Sequence, residues 1–270
     1  MVVIGLCASW WWYAQGRDFF YNLRTVGTQT VIRDVTYKTE HFKQVFHALP
    51  GDFKNAGKFL NGCTGVEGRD CNPAPSSAGD GIIGKSIFTD NLLPEKFGRT
   101  TVPATSAADE TILFWTHLYL TGAYSRLDES GIVNNSEIVF GDTNPTAPHG
   151  GGLVVGYWNG APFPSSLVPM PNASLKGNVV AIVSDDVLAG LAKMNERGKQ
   201  ALTPSASAQI DRKMDDGLPL SGYLQAYGAP ECFIKVDTPK PAWAKDDTYP
   251  WHYNESLHEK SCGLVAKISD

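Results

Sequence analysis

Apolar residues run almost unbroken from Met1 to Ala14, and the run stops at Gln15, Gly16, Arg17 and Asp18. Beyond that the apolar positions space out. Phe19, Phe20, Leu23, Val26, Thr30, Val31, Val35, Phe42, Val45, Phe46 and Leu49 recur at threes and fours. That is the period of a helix with one apolar face. No proline interrupts before Pro50. The two patterns together predict one helix from near Met1 to about Ala48, roughly 70 Å long at ~1.5 Å per residue. Globular helices average about three turns, so this one reads as a stalk: residues 1–16 a largely apolar membrane or filament-core segment, residues 17–49 amphipathic, and residues 50–270 a globular head.

Shorter patterns follow. Pro50 and Gly51 break the stalk, and Asp52 is placed to cap a short helix through Phe59. From Gly62 to Thr105 the chain is rich in Gly, Pro, Ser and Asn and reads as a long loop. Ser106 to Asp109 resembles a capping box, and "ADETILFWTHLYLTG" after it puts Ile112, Trp115, Leu118 and Tyr119 on one stripe, ending at Gly122. "GGLVVGYW" and "GNVVAIVS" are strand-like, as are "GYLQAYG" and "CGLVAKI" near the end. Ser184, Asp185 and Asp186 open one helix, and Thr203-Pro204 another through Met214. No internal repeat is present.

Composition narrows the setting. A chain of 270 residues with net charge −5 can bury one sizeable core, and it is ill suited to bind phosphate backbones; no nucleic-acid partner is expected. Of five cysteines, Cys7 lies in the apolar opening, and the other four fall into two local pairs in polar surroundings. Zinc would need tight C-x-x-C or histidine-containing spacing. Two disulfides are expected, Cys63–Cys71 and Cys232–Cys262 among three possible pairings, in an oxidising compartment. The sequons at Asn134, Asn172 and Asn254 say only that those loops can be exposed.

The opening segment resists a simple reading. A membrane span needs ~20 apolar residues, and this run falls short by about a third. A signal peptide would carry a basic region before Val2 and small residues where Trp10, Trp11, Trp12 and Tyr13 stand. The aromatic cluster followed by Arg17 looks like a belt at a lipid–water interface.

Catalytic signatures are thin. There is no G-x-S-x-G, no P-loop, no H-E-x-x-H and no G-x-G-x-x-G. The six histidines do not cluster into a triad pattern; no enzyme activity is expected. His117, in mid-helix beside Trp115, reads as a hydrogen-bonded core residue, and His149 in "PHGGG" is unassigned. "DRKMDDG" gathers Asp211, Asp215 and Asp216. Its first reading is a helix end and turn at Asp216-Gly217, with Asp211 pairing with Lys213 or accepting backbone hydrogen bonds. The alternative is a calcium site on the three carboxylates, although the spacing is not that of an EF-hand. "GDGIIG" at Gly79 to Gly84 reads as a turn leading into a short strand rather than a calcium loop. Trp158, Trp243 and Trp251 are assigned to the core ahead of ligand contact. No cofactor other than possible calcium is expected.

Several segments resemble one family. The opening "MVVIG" and the apolar residues after it look like the interior of a type IV pilin or type II secretion pseudopilin N-terminal segment. "ALPGDFKNAGKF" (Ala48 to Phe59) is similar to the stalk-exit motif of a bacterial branch of prepilin-like proteins. "GDGII", then Glu110 with "FWTHLYLTG", resemble that branch's G-D-G-x-I and E…F-W-Q-H-L-x-L-x-G elements, with Thr116 where the pattern has Gln. "QIDRKMDDGLPLSG" (Gln209 to Gly222) is similar to its I-D-x-K-x-D-D-G-x-P-x-x-G signature. The motifs keep the family's order and cover the stalk, the chain up to Gly122, and Ala206 to Cys232; Ala123 to Pro204 matches none of it.

The resemblance implies an α+β, pilin-like fold: a long N-terminal helix packed on a small antiparallel sheet, with extra helices and long loops. It implies a structural subunit, minor or specialised, of a type IV pilus or pseudopilus-like filament. A member would carry about six residues before Met1, completing a ~20-residue span. It would sit in the bacterial inner membrane as a single-pass protein with a periplasmic head, meet a prepilin peptidase if a leader is encoded upstream, and pass into a periplasmic or cell-surface filament. Its partners would be other pilin or pseudopilin subunits, reached through Val2, Val3, Ile4, Gly5, Leu6, Trp10, Trp11 and Trp12, with Gly5, Ala8 and Ser9 allowing close helix approach. The competing expectations are a membrane-anchored extracytoplasmic binding protein or adhesin on the same fold, and a secreted hydrolase with an uncleaved anchor.

Overall fold

The computed structural model describes residues 2–63, 71–73, 75, 77–84, 110–125, 138–158, 175–189, 191–236 and 251–269, with α1 side chains described from Phe19 onward. The expected stalk is a single helix, α1 (Val2–Phe46), of 45 residues. No helix among the described residues is long and apolar enough to cross a membrane. The inner face of α1 buries Val31, Ile32, Val35 and Phe42 together with Thr25, Thr28 and Thr39. These threonines sit in an apolar interface because each hydroxyl donates to the carbonyl four residues back, Tyr21, Arg24 and Val35 respectively.

Short helices and strands come after it: α2 (Ala56–Phe59), α3 (Glu110–Leu120), β1 (Gly152–Trp158), β2 (Gly177–Val183), α4 (Asp185–Ala189), α5 (Pro204–Met214), β3 (Leu224–Gly228), β4 (Phe233–Lys235), β5 (Trp251–Tyr253) and β6 (Cys262–Ser269). A 3-10 turn, Leu191–Asn195, links α4 to the chain leading to α5. The main sheet has the order β1-β2-β6-β3, and every neighbouring pair is antiparallel. The four runs of β-branched and aliphatic residues expected as strands are its four strands. β4 and β5 form a separate two-stranded sheet. They were not expected: three residues are too few to display a period of two.

The fold is therefore α+β, with a long N-terminal helix and a small antiparallel sheet. The sheet is covered on both faces. Leu153, Val155, Val180, Ile182, Leu224, Ala226, Leu264 and Ala266 face α1, α3 and α5 in the larger core. The alternate residues Val154, Trp158, Val179, Ala181, Val183, Tyr227 and Val265 meet Leu175, Val187 and Met194 in a second core. Two-sided burial explains why the strands read as continuous apolar runs. Trp158 is core, as expected, Trp251 is half-buried, and Trp243 lies outside the described residues.

Both expected disulfides are formed, Cys63–Cys71 and Cys232–Cys262, with Cα separations of 5.4 and 5.3 Å. They suit an oxidising, extracytoplasmic setting. Thr203 caps α5, accepting from the Ala206 amide, with Pro204 in the first turn as expected. Three expectations need correction. Asp52 does not cap α2, whose N-cap is Asn55 without a side-chain bond; Asp52 reaches a distant loop instead. Helix α3 is not striped: Ile112, Leu113, Phe114, Trp115 and Leu118 are all buried and Tyr119 only partly so, because the helix is enclosed. The apolar positions of α1 do not form one face but two, one against the head and one turned away from it.

Candidate functional site

The α1 pattern resolves into two stripes. One is buried in the head. On the opposite side Phe19 is 60% exposed, Leu23 50%, Val26 47% and Tyr37 69%, while Phe20 and Val45 are exposed at the flank of the buried stripe. At 100° per residue Phe19, Leu23, Val26 and Tyr37 fall within about 60° of one another. Spacings of three and four belong to both stripes, so only their phase separates them. The intervening Thr30 is satisfied by the Val26 carbonyl, and Arg33 donates to the Lys213 carbonyl at the end of α5.

The head is fastened to α1 along its length. Tyr21 Oη lies 3.1 Å from Thr203 Oγ1, Arg33 Nη2 is 3.3 Å from the Lys213 carbonyl, and Lys43 Nζ is 3.2 Å from Ser269 Oγ. Val2, Val3, Ile4, Gly5, Leu6, Trp10, Trp11 and Trp12 all lie on α1, with their side chains outside the described part.

Two buried carboxylate nests lie in the head. In the first, Asp52 accepts the Gly79 and Gly81 amides, Glu110 accepts the Gly84 amide at 2.6 Å, and Asn178 accepts the Ile83 amide at 2.8 Å while donating to the Gly81 carbonyl. The expected turn at "GDGIIG" is thus held by three side chains from three distant parts of the chain. The short strand expected after Gly84 lies outside the described residues. Burial pushes Glu110 up to about 7, with hydrogen bonds from Ser77 and Gly84 opposing and the charges of Asp52 and Asp80 adding. Asp52 is likewise raised by burial, against the Gly81 and Gly79 amides.

His117 ties this nest to the stalk exit and to a disulfide. Its Nδ1 accepts the Gly51 amide at 2.9 Å, so Nε2 carries the proton and donates to the Cys71 carbonyl at 2.8 Å. Burial pulls its pKa down to about 4, opposed by the Cys71 bond, so the ring is neutral. Phe42 of α1 stacks on it at 6.0 Å. The core role expected for His117 holds, with both nitrogens engaged. Gly51 has φ +87°, and a Cβ there would collide with the Glu110 carbonyl, so the turn requires glycine.

The second nest is the turn after α5. Asp211 Oδ1 accepts the Gly217 amide at 3.0 Å, and Oδ2 accepts the Tyr253 hydroxyl at 2.7 Å. Asp215 accepts the Leu224 amide, and Asp216 accepts the Leu218 amide and the Ser221 hydroxyl. Asp211 does not pair with Lys213, which was one of its expected partners. Gly222 has φ +76° and lies so close to the Asp215 carboxylate that no side chain fits. Burial pushes Asp211 up to about 7, opposed by the Tyr253 and Gly217 bonds and reinforced by Asp216 and Asp215. One oxygen from each of the three aspartates lies within 4.8 Å of the others, so the fold brings the predicted calcium ligands together. Each already serves the turn.

His149 lies buried against α1, with Nε2 3.4 Å from Thr25 Oγ1, and Lys260 donates to its carbonyl. Its pKa is pulled down to about 4 by burial, then by Arg24 and Lys260. Reading the sequence missed Asp52, Glu110 and Asn178 as a set. The available signal was slight: Glu110 stands in the first turn of α3, where acids are ordinary. No protein-family model matches the chain, and no match is found among curated proteins or solved structures.

Proposed function

We propose that this protein is a non-enzymatic structural subunit of a type IV pilus or pseudopilus-like filament. In this reading α1 makes the contacts between copies and the disulfide-bonded head forms the outer shell. One observation carries it: the face of α1 turned away from the head exposes Phe19, Leu23, Val26 and Tyr37, and none of the other described residues covers them. A row of large apolar side chains on the outer face of a helix marks an interaction surface. The threonine-lined opposite face is fully occupied by the head, so one helix has two apolar partners to satisfy.

The apolar opening, residues 1–16, would lie in the inner membrane before assembly, with the head in the periplasm. In the filament the same surface would exchange lipid for neighbouring helices. The order of the motifs around Ala48–Phe59, Gly79–Ile83, Phe114–Gly122 and Gln209–Gly222 supports the same reading.

The test is self-association of the full chain. Wild type in its membrane and in mild detergent is expected to form oligomers visible by native electrophoresis and electron microscopy. The pair F19E/L23E is expected to remain monomeric with an unchanged melting temperature. A wild-type chain that stays monomeric at every concentration would overturn the proposal.

A further inference from the structure

The turn by which the chain leaves α1 lies along one face of α3. Gly51 packs on the first turn of that helix, with no room for a Cβ beside the Glu110 carbonyl. Further along the same face, His117 Nδ1 accepts the Gly51 amide and Nε2 donates to the Cys71 carbonyl. The Cys71 bond fixes the tautomer that the Gly51 amide needs. Phe42 of α1 stacks on the ring, and Phe53 meets it edge to face at 6.5 Å. Residues 71 and 72 thus form a strap: the Cys71 carbonyl holds α3, and Asn72 Oδ1 accepts the Gly57 amide of α2 at 3.0 Å. The Cys63–Cys71 bridge, between residues eight apart, fastens the strap covalently. Cys71 itself has φ +24°, on the left-handed side that a non-glycine residue seldom takes. The other bridge is placed differently. Cys262 belongs to β6, pairs with Gly228 of β3 and is bridged to Leu202, and both Cys232 and Cys262 are fully buried.

We propose that Cys63–Cys71 is a redox latch on the stalk exit. Closed, it presents the Cys71 carbonyl that orients His117, and His117 in turn holds the Gly51 amide. Opened by a dithiol reductant, it releases that amide while the main sheet keeps its own bridge. The chemistry is thiol–disulfide exchange. A thiolate of the dithiol attacks one sulfur of the bridge, the S–S bond breaks, and the other cysteine leaves as a thiolate and takes up a proton. The second thiol of the reductant then attacks the mixed disulfide and releases the second cysteine. Both cysteines end as thiols, and the reductant ends as a disulfide. Selectivity follows from position. Opening the strap moves residues 63 and 71–72, which lie outside every helix and strand, whereas exposing Cys262 requires β6 to part from β3. Asp52 still accepts the Gly79 and Gly81 amides, so the release is confined to the exit. Only the oxidised chain then holds the end of α1 rigidly against α3. The latch works within a single copy and needs no filament.

The experiment is hydrogen exchange on the full chain in mild detergent, in a C7S background, across a dithiothreitol series. Alkylation and mass spectrometry identify which cysteines are free at each step. Cys63 and Cys71 are expected to become alkylatable at a reductant concentration that leaves Cys232 and Cys262 paired. At that concentration exchange around Gly51 is expected to rise roughly tenfold while β1, β2 and β6 keep their protection. Nitrogen NMR of the His117 ring is expected to show the fixed tautomer lost and the pKa climbing from about 4 towards the ordinary 6.5. H117F, which keeps a ring against Phe42, is expected to free the Gly51 amide with the bridge closed and to abolish its dependence on the reductant. C63S/C71S is expected to match the reduced chain without reductant; if it does not fold, the reductant series decides. Unchanged exchange at Gly51 once Cys63–Cys71 is open would overturn the latch and leave the bridge a staple of its own loop. Additive effects of H117F and reduction would overturn it too, because His117 would not be the relay. Opening of both bridges together, or of Cys232–Cys262 first, would overturn its selectivity and the latch with it.

Discussion

The two carboxylate nests solve the same problem with different parts. Each buries an acid against glycine amides, and in each the acid is held near 7 by burial. The nest at Asp211 is local: its acids, its glycine turn and its donors lie within residues 211–224, with only the Tyr253 hydroxyl from afar. The nest at Glu110 is assembled from residues 52, 79–84, 110 and 178, none adjacent in sequence except the loop it holds. A local turn forms when its helix forms. A dispersed clasp forms only when the stalk exit, α3 and β2 are already in place. The Glu110 nest should therefore report on global folding, and the Asp211 nest on its own turn.

The sharpest way to break this contrast is G51A. A Cβ there meets the Glu110 carbonyl in a left-handed backbone, and it displaces the amide that His117 accepts. A loss of ~4 kcal/mol is expected, with the whole head losing its denaturant midpoint as one unit. The equivalent G222A at the local nest is expected to cost about half as much. Equal losses by urea titration would mean that the two nests are equally global.

A protonation comparison comes next. Folded Glu110 holds its proton to about pH 7, whereas the unfolded carboxyl ionises near 4.5. The folded state binds more protons in that window, so Glu110's contribution to stability is complete below 4.5 and is lost as pH rises to about 7, on the order of 3 kcal/mol. His117 runs the other way: neutral in the fold down to about 4 and protonated below 6.5 when unfolded, it costs stability as pH falls through that range. Subtracting E110Q from wild type removes the histidine contribution. The wild-type advantage is expected to be largest near the lower end and to vanish or reverse above neutrality. A pH-independent difference would remove Glu110 from the set of protonated buried acids.

Y253F is expected to cost ~1–2 kcal/mol, because it leaves Asp211 with one buried donor fewer. Thermal melts at neutral pH check it, and D211N should reduce the effect by removing the charge that the hydroxyl serves. The smallest effect expected is that of calcium. Each carboxylate of Asp211, Asp215 and Asp216 already accepts a turn donor, so EDTA should leave the melting temperature where it is. A rise of several degrees on adding calcium, absent in D215N/D216N and kept in E110Q, would make the local nest a cation site.

Much of the fold was written in local patterns. α1, the four long strands, the Thr203-Pro204 start of α5 and both disulfides follow from spacing, apolar runs and turn residues. The features that could not be read share one physical cause: they depend on phase or on distance. Phe19, Leu23 and Val26 have the same intervals as Val35, Thr39 and Phe42, and only the drift between Val26 and Val31 reveals two stripes. β4 and β5 are held by pairing across residues 235–251 rather than by their own pattern. Asp52 looked like a helix cap because its nearest helix was the only partner visible in sequence. The Asp211 cluster was visible because a helix end brings its acids together without help.

The three fastenings of the head to α1, at Tyr21, Arg33 and Lys43, are spread along more than two-thirds of the helix's described face. They reach the start of α5, its end, and the last residues of β6. In mechanical terms the helix is a rod bolted at intervals, not a handle attached at one end. A pull on its first turns loads all three joints and the apolar seat between them in shear, so no joint can be peeled before the next. Single-molecule extension from the two termini is expected to show the head leaving the rod in one high-force event rather than in steps, which is the behaviour required of a unit that transmits tension along its length.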